Sequence, residues 1–263
     1  MAIERRGWAF ALIAACVRPS LLLLTKRDWR GVENIPASGG CLLVANHVSE
    51  FDPVPFGHFV YDNGRLPRYL GKIEVFKVPI VGTILRSAGQ IPVYRKSADA
   101  TQAFSAAVAA IDKGKCVVVY PEGTISREPA LWPMVGKTGA ARIALTTGCP
   151  VIPVAQWGPQ DVLAPYARKP KLLPRKTMHV QAGPPVDLAD LSTAELTPEV
   201  LREATEQIMT AITHQLETIR GRRAPKQRFD PRIAGVAEIG NPHDPRNKHL
   251  PSADGPNRKD LPS

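Results

Sequence analysis

Cysteine is scarce in this chain: there are 4 in 263 residues, and Cys16, Cys41, Cys116 and Cys149 form no Cys-x-x-Cys pair and stand near no histidine at metal-ligand spacing. A disulfide scaffold and a structural metal site are thereby excluded, and at this length one core buries enough apolar surface to need neither. The cysteines read as small hydrophobes of a reducing, cytosolic compartment. None stands in the cationic, polar surroundings that favour a thiolate nucleophile. Aromatic residues make up only 6% of the chain, which leaves few platforms for stacking bases. With no nucleic-acid motif present, this argues against a nucleic-acid partner. Long apolar runs are missing too. Residues 8–17 are apolar throughout, but Arg18-Pro19 separates them from Leu21–Leu24, and neither piece reaches the ~20 residues of a membrane span.

What is abundant is positive charge: 34 Lys and Arg against 24 Asp and Glu, a net charge of +10. Such an excess suits nucleic acid, anionic lipid or phosphorylated substrates, and its location has to choose among them. Arg5, Arg6, Arg18, Lys26, Arg27 and Arg30 flank the first apolar stretch on both sides, with Trp8 near its start. That composition predicts a short interfacial helix on an anionic membrane surface, at the cytoplasmic face of the cell membrane, within an anchor of residues 1–30. The competing readings are a secretory signal, with Arg5-Arg6 as its basic region, and a helix packed into the core.

Between Gly31 and about Gln181 short apolar runs alternate with helix-like stretches. This is an α/β rhythm, and it predicts a mostly parallel central sheet flanked by helices. Strands are expected at Cys41–Ala45, Arg68–Leu70, Gln90–Val93, Cys116–Tyr120, Val151–Ala155 and Thr177–Gln181. Several of them are apolar throughout, as strands covered on both faces are. Helices are expected over Ala98–Lys113 with Gly114 as the stop, Gly139–Thr147 before Gly148, and Pro198–Arg220 capped by Thr197. The catalytic domain would then span 31–220. The remaining 221–263, with seven prolines and no apolar periodicity, predicts a disordered or loosely docked tail.

The chemistry concentrates just after strands. Asn46-His47-Val48-Ser49-Glu50-Phe51-Asp52 follows the run 41–45, and strand ends are where α/β proteins place active sites. Histidine accepts a proton near neutral pH, and a nearby aspartate fixes its tautomer and stabilises the imidazolium. A five-residue spacing fits a regular helix poorly, so His47 and Asp52 would have to meet across a strand-to-helix turn. Three further segments are Gly89-Gln90-Ile91-Pro92-Val93-Tyr94-Arg95, Tyr120-Pro121-Glu122-Gly123-Thr124 and Val151-Ile152-Pro153-Val154.

In this order and at these separations the four segments resemble the glycerolipid acyltransferase family, over about Gly31 to Gly183. The family pattern is Asn-His-x4-Asp, Gly-x-Ile-x3-Arg, Phe-Pro-Glu-Gly-Thr-Arg-Ser and an apolar Val-Pro-Val strand. The resemblance implies an enzyme that moves a fatty acyl group from acyl-CoA or acyl carrier protein to a lysophospholipid hydroxyl, with no cofactor and no metal. It implies His47 as general base and Asp52 as its orienting partner, with Arg95 and Glu122-Gly123-Thr124 binding the acceptor's glycerol phosphate. Arg95 suits bidentate phosphate contact, and Gly123 allows close backbone approach. Lys72, where the family often has a basic residue, and Lys137, before the helix at 139, are further candidates for an acceptor or donor phosphate. Two positions depart from the pattern: Tyr120 replaces Phe, and Ile125 replaces the Arg before Ser126. Either Arg127 takes up the missing charge or the acceptor is not lysophosphatidic acid. Two other classes stay in view, a hydrolase using Ser49 or Ser126 and a non-enzymatic lipid-binding protein. The hydrolase lacks a Gly-x-Ser-x-Gly elbow.

Overall fold

The computed structural model describes residues 7–93, 97–238 and 240–242. The chain begins with helix α1 (Trp8–Leu24) and continues directly into strand β1 (Thr25–Arg30) and a 3-10 turn at Val32–Asn34. Next come β2 (Cys41–Ala45), α2 (Pro53–Asp62), β3 (Pro67–Lys72), the short helices α3 (Ile73–Phe76) and α4 (Val81–Ser87), and β4 (Ile91–Val93). Helix α5 (Ser97–Asp112), β5 (Cys116–Val119), α6 (Gly139–Thr147) and β6 (Val151–Trp157) follow. The last elements are α7 (Pro159–Val162), β7 (Lys176–Ala182), α8 (Ala189–Ser192) and α9 (Pro198–Arg220).

The seven strands form one sheet in the order β1-β7-β6-β2-β5-β3-β4, parallel throughout except where β7 meets β6. Period-two alternation along β2 sends Leu42 and Val44 to one face and Cys41, Leu43 and Ala45 to the other. On the first face they meet Ala107 and Ile111 of α5, Ala140 and Ala144 of α6, and Ile208 and Ile212 of α9. On the second they meet Phe56, Phe59 and Val60 of α2. The sheet is thus covered on both sides, which is why its central strands are continuous apolar runs.

Helix α9 runs as expected. The Thr197 hydroxyl accepts from Val200 N at 3.3 Å, and Gly221 closes the helix in the left-handed region at φ 62°. One expectation needs correction, at the start of the chain. Thr25–Arg30, grouped with the anchor by its cations, is a sheet strand: Thr25 through Arg30 pair with Lys176 through Gln181. Beyond α9 the chain is held at separate points, and most of residues 221–238 are exposed. Arg228 bonds Glu206 and Thr210, Val135 N donates to the Phe229 carbonyl at 3.1 Å, and the Arg220 guanidinium lies 4.0 Å from the ring centroids of both Trp132 and Trp157. The tail from 243 onward and the cations Arg5 and Arg6 lie outside the described residues.

Helix α1 packs Ala9 and Phe10 into a small cluster with Leu66, Ala88 and Ile84, while Trp8, Leu12 and Leu23 face outward. No helix among the described residues is long and apolar enough to cross a membrane. In the segment after β3, Val75, Val78, Ile80 and Val81 are all exposed.

Candidate active site

Because β3, β4, β5, β6 and β2 run in one direction, their carboxyl ends share one edge of the sheet. Strand order alone sets out the candidates along that edge: Gln156 on β6, His47 after β2, Tyr120 and Glu122 after β5, then Lys72 on β3. Lys72 pairs with Val93, the last residue of β4, two positions before Arg95. At about 4.8 Å per strand, the step from β2 to β3 is roughly 10 Å. The side chain of Lys72 is exposed there, and Arg95 itself lies outside the described residues.

His47 and Asp52 meet across the turn that joins β2 to α2. The Asp52 carboxylate is fully buried, and its Oδ2 lies 2.7 Å from His47 Nδ1. The same oxygen accepts from the backbone N–H groups of Val48 and Ser49 at 2.6 and 3.0 Å. Within the turn, the Ser49 hydroxyl accepts from Phe51 N at 3.0 Å. The loop therefore curls back on the carboxylate, and Pro53 starts α2 without needing the hydrogen bond it cannot donate. Burial pushes the Asp52 carboxyl above its ordinary value, against the opposing pull of His47 and the two amides. A carboxylate on Nδ1 leaves Nε2 as the ring atom able to take a proton from a ligand.

The imidazole is fixed from other directions as well. The Tyr120 ring stacks on it with centroids 4.3 Å apart and planes 17° from parallel, and Tyr69 extends the stack at 6.4 Å from Tyr120. The backbone of His47 donates to Glu122 Oε1 at 3.0 Å, and its carbonyl accepts from Ser126 N at 2.7 Å. Asn46 and Gln156 form a three-bond bracket between the ends of β2 and β6: Gln156 N to Asn46 Oδ1 at 2.8 Å, Asn46 Nδ2 to the Gln156 carbonyl at 3.0 Å, and Gln156 Nε2 to the Asn46 carbonyl at 3.0 Å.

Glu122 occupies a different place from the one expected of a ligand-binding residue. It is buried, and its second oxygen accepts from Met134 N at 3.0 Å. Burial pushes its carboxyl up to about 8. Through its two oxygens it ties the His47 backbone to the 121–135 loop. Gly123 and Lys137 do face outward together. Gly123 turns at φ 69°, and a Cβ there would stand 3.2 Å from Lys137 Cδ and 3.6 Å from Nζ. Lys137 N donates to the Pro121 carbonyl at 2.8 Å, holding this cation over the turn. Thr124 Oγ1 lies 3.5 Å from both the Tyr166 hydroxyl and Arg127 Nη2, long distances for hydrogen bonds.

Ile125 is 5% exposed, filling core space in place of a cation. Arg127 donates through Nη2 to the Gly240 carbonyl at 2.8 Å, and burial pulls its guanidinium below the ordinary arginine value. The two candidate serines are both committed elsewhere: Ser49 donates to the Leu163 carbonyl at 2.6 Å and Ser126 to the Trp132 carbonyl at 2.7 Å. Neither is held as a nucleophile by His47. Among the described residues no group of three or more His, Cys, Asp or Glu side chains could hold a metal ion.

The bracket from Gln156 and the stack from Tyr120 went unseen in the sequence. A polar residue ending an otherwise apolar strand was the available signal for Gln156. Two other histidines have carboxylate partners: His58 Nε2 is 3.3 Å from Asp62, and His179 Nδ1 is 2.8 Å from Asp28. The first pair lies within α2, and the second joins β7 to β1. Cys16, expected to be buried, is exposed on α1, whereas Cys41 and Cys116 are buried.

A profile of the acyltransferase family matches residues 26–157, half of the chain. The chain belongs to that family and is an acyltransferase. It resembles the 1-acyl-sn-glycerol-3-phosphate acyltransferase of Borreliella burgdorferi, 27% identical over 214 residues that cover 81% of this chain and 80% of that protein. The chloroplastic 1-acyl-sn-glycerol-3-phosphate acyltransferase BAT2 of Brassica napus is 30% identical over 140 residues, but the match spans only 39% of its length and 52% of this chain. The lyso-ornithine lipid O-acyltransferase of Pseudomonas aeruginosa is 28% identical over 196 residues, covering 70% of this chain and 72% of that one. The crystal structure of PlsC from Thermotoga maritima, a 1-acyl-sn-glycerophosphate acyltransferase, shares the fold with a TM-score of 0.62. That match has 23% identity and covers 82% of this chain and 81% of PlsC.

Proposed function

We propose that the protein transfers a fatty acyl group from acyl-CoA or acyl carrier protein to the free hydroxyl of 1-acylglycerol-3-phosphate, giving phosphatidic acid. The observation that carries this is the 2.7 Å contact of His47 Nδ1 with the buried Asp52. His47 Nε2 removes the hydroxyl proton as the oxygen attacks the thioester carbonyl. The tetrahedral adduct collapses with cleavage of the carbon–sulfur bond, and the proton leaves with the thiol. A thioester is reactive enough that no acyl-enzyme is needed, in keeping with two serines already committed to carbonyls. Arg95, Lys72 and Lys137 with the Gly123-Thr124 turn serve the phosphates. Helix α1 lies with Trp8, Leu12 and Leu23 in an anionic membrane surface, at the cytoplasmic face.

Replacing His47 by Ala is expected to lower turnover by about 10²–10⁴-fold, the usual contribution of a general base, with the fold intact. Near-normal turnover of His47→Ala would sink the mechanism. The buried Ile125 supports a second acceptor, a lysolipid whose headgroup lacks the phosphate that an arginine there would meet. Incubating the protein with labelled acyl-CoAs and a panel of lysolipids, lysophosphatidic acid and lyso-ornithine lipid among them, and identifying products by mass spectrometry separates the two. Exclusive acylation of a phosphate-free acceptor would overturn the phosphatidic acid reading.

A further inference from the structure

The segment 163–176 links α7 to β7 and has no part in the proposed chemistry. Between Asp161 and Asp187 the chain carries no acidic residue but five cations: Arg168, Lys169, Lys171, Arg175 and Lys176. Residues 167–175 are all exposed, and in their midst are two adjacent leucines, Leu172 and Leu173, the latter 76% exposed. None of the five cations makes an ion pair among the described residues. An adjacent pair of leucines held in water is unfavourable unless something covers them.

Topology places this segment at the edge that carries His47. Strand β7 runs against β6, so Lys176, the first residue of β7, stands at the end of the sheet where β6 finishes. Thr25, which pairs with Lys176, brings the end of α1 to the same edge. Both ends of the segment are fastened. On the site side, Ser49 Oγ donates to the Leu163 carbonyl, and Tyr166 N donates to Glu50 at 3.1 Å. On the other side, Arg175 Nη2 donates to the carbonyls of Leu22 and Thr25 at 2.9 and 2.6 Å, capping α1 beside Leu23, which is 73% exposed.

We propose that segment 163–176 is a second bilayer-docking surface, binding anionic lipid headgroups through Arg168, Lys169 and Lys171 and seating Leu172 and Leu173 at the headgroup–acyl boundary. Charge complementarity and continuity with the exposed apolar face of α1 single out this occupant. Cations alone would also suit an acidic carrier protein, but the leucine pair flanked by cations is the composition of an interfacial segment. Across the site, Val75, Val78 and Ile80 with Lys77 project after β3, so a bilayer resting on both projections faces the edge that holds His47. The inference rests on the proposed function for two premises, that the acceptor is a membrane lipid and that α1 meets the bilayer.

The test is sedimentation of the full chain with phosphatidylcholine–phosphatidylglycerol vesicles and with phosphatidylcholine vesicles alone. The variants are Arg168→Gln/Lys169→Gln/Lys171→Gln and Leu172→Ser/Leu173→Ser. With about fivefold per cation, the first should bind the anionic vesicles roughly a hundredfold more weakly. The second should weaken binding to both kinds of vesicle. Both sets lie on exposed chain, so thermal unfolding and turnover of a short-chain, monomeric lysolipid should match the unaltered protein. Unchanged vesicle affinity in both variants overturns the proposal. So does a charge variant that loses binding to an acidic carrier protein while keeping that to anionic vesicles. Absent turnover of the monomeric lysolipid by the unaltered protein would instead count against the acyl-transfer reading and leave the docking surface standing.

Discussion

At His47, the ring is fixed by Asp52 from the following turn and by Tyr120 from the end of β5, while the backbone is held by Glu122. Glu122 also bears on stability. Its carboxyl, at 4.5 in the absence of the fold, is pushed up to about 8 by burial, so the folded chain holds a proton over that interval which the unfolded chain releases. Stability therefore falls as pH rises from about 5 towards 8, with Asp52 acting in the same direction. Glu122→Gln removes the Glu122 share of this dependence. It also leaves one of the two amides facing an NH2 group, a loss independent of pH. Urea unfolding across this pH range should show a shallower decline for Glu122→Gln than for the unaltered protein, from a lower starting stability. Equal slopes would contradict the assignment. The glutamate illustrates a limit of sequence reasoning: its position in Glu-Gly-Thr marks it as important, but whether it faces a ligand or the interior depends on where Met134 comes to lie, twelve residues on.

Among the elements, those whose environment is uniform along their length were legible from the chain. Strand β2 is apolar throughout because both faces are covered, and α9 has both a threonine cap and a glycine stop, so their limits follow from composition. Strand β1 was missed because Thr25–Arg30 lies at the sheet margin, where charged side chains protect the open edge and imitate a surface segment. The turn at 121–124 is legible in part. Gly123 was expected for close approach, and it is needed twice over, for its φ of 69° and for the Lys137 stem lying above it. Gly123→Ala should cost about 1–2 kcal/mol from the left-handed backbone and displace Lys137, so the acceptor KM should rise more than kcat falls. An unchanged KM would show that the position of Lys137 over the turn has no bearing on binding.

At the scale of the whole molecule, strand order places the site over the most deeply covered part of the sheet. Strand β2 is the fourth of seven, with β6 and β5 on either side and helices on both faces. Local opening is least favourable where apolar burial and paired backbone are densest, so the amides of Leu42–Ala45 are expected to exchange most slowly, together with those of Val117, Val118, Ile152, Val154 and Ala155. Strand β1 pairs on one side only and should exchange faster, and residues 167–175 fastest of all, being exposed throughout. This gradient has a functional side: His47 lies two residues beyond the slowest strand, while the surface that would meet lipid is among the least protected. Hydrogen exchange followed by mass spectrometry on the full chain measures both. A β2 no slower than β1 would mean that the central strands do not hold the site rigid, and the geometry of His47 and Asp52 would then have to be fixed by the turn alone.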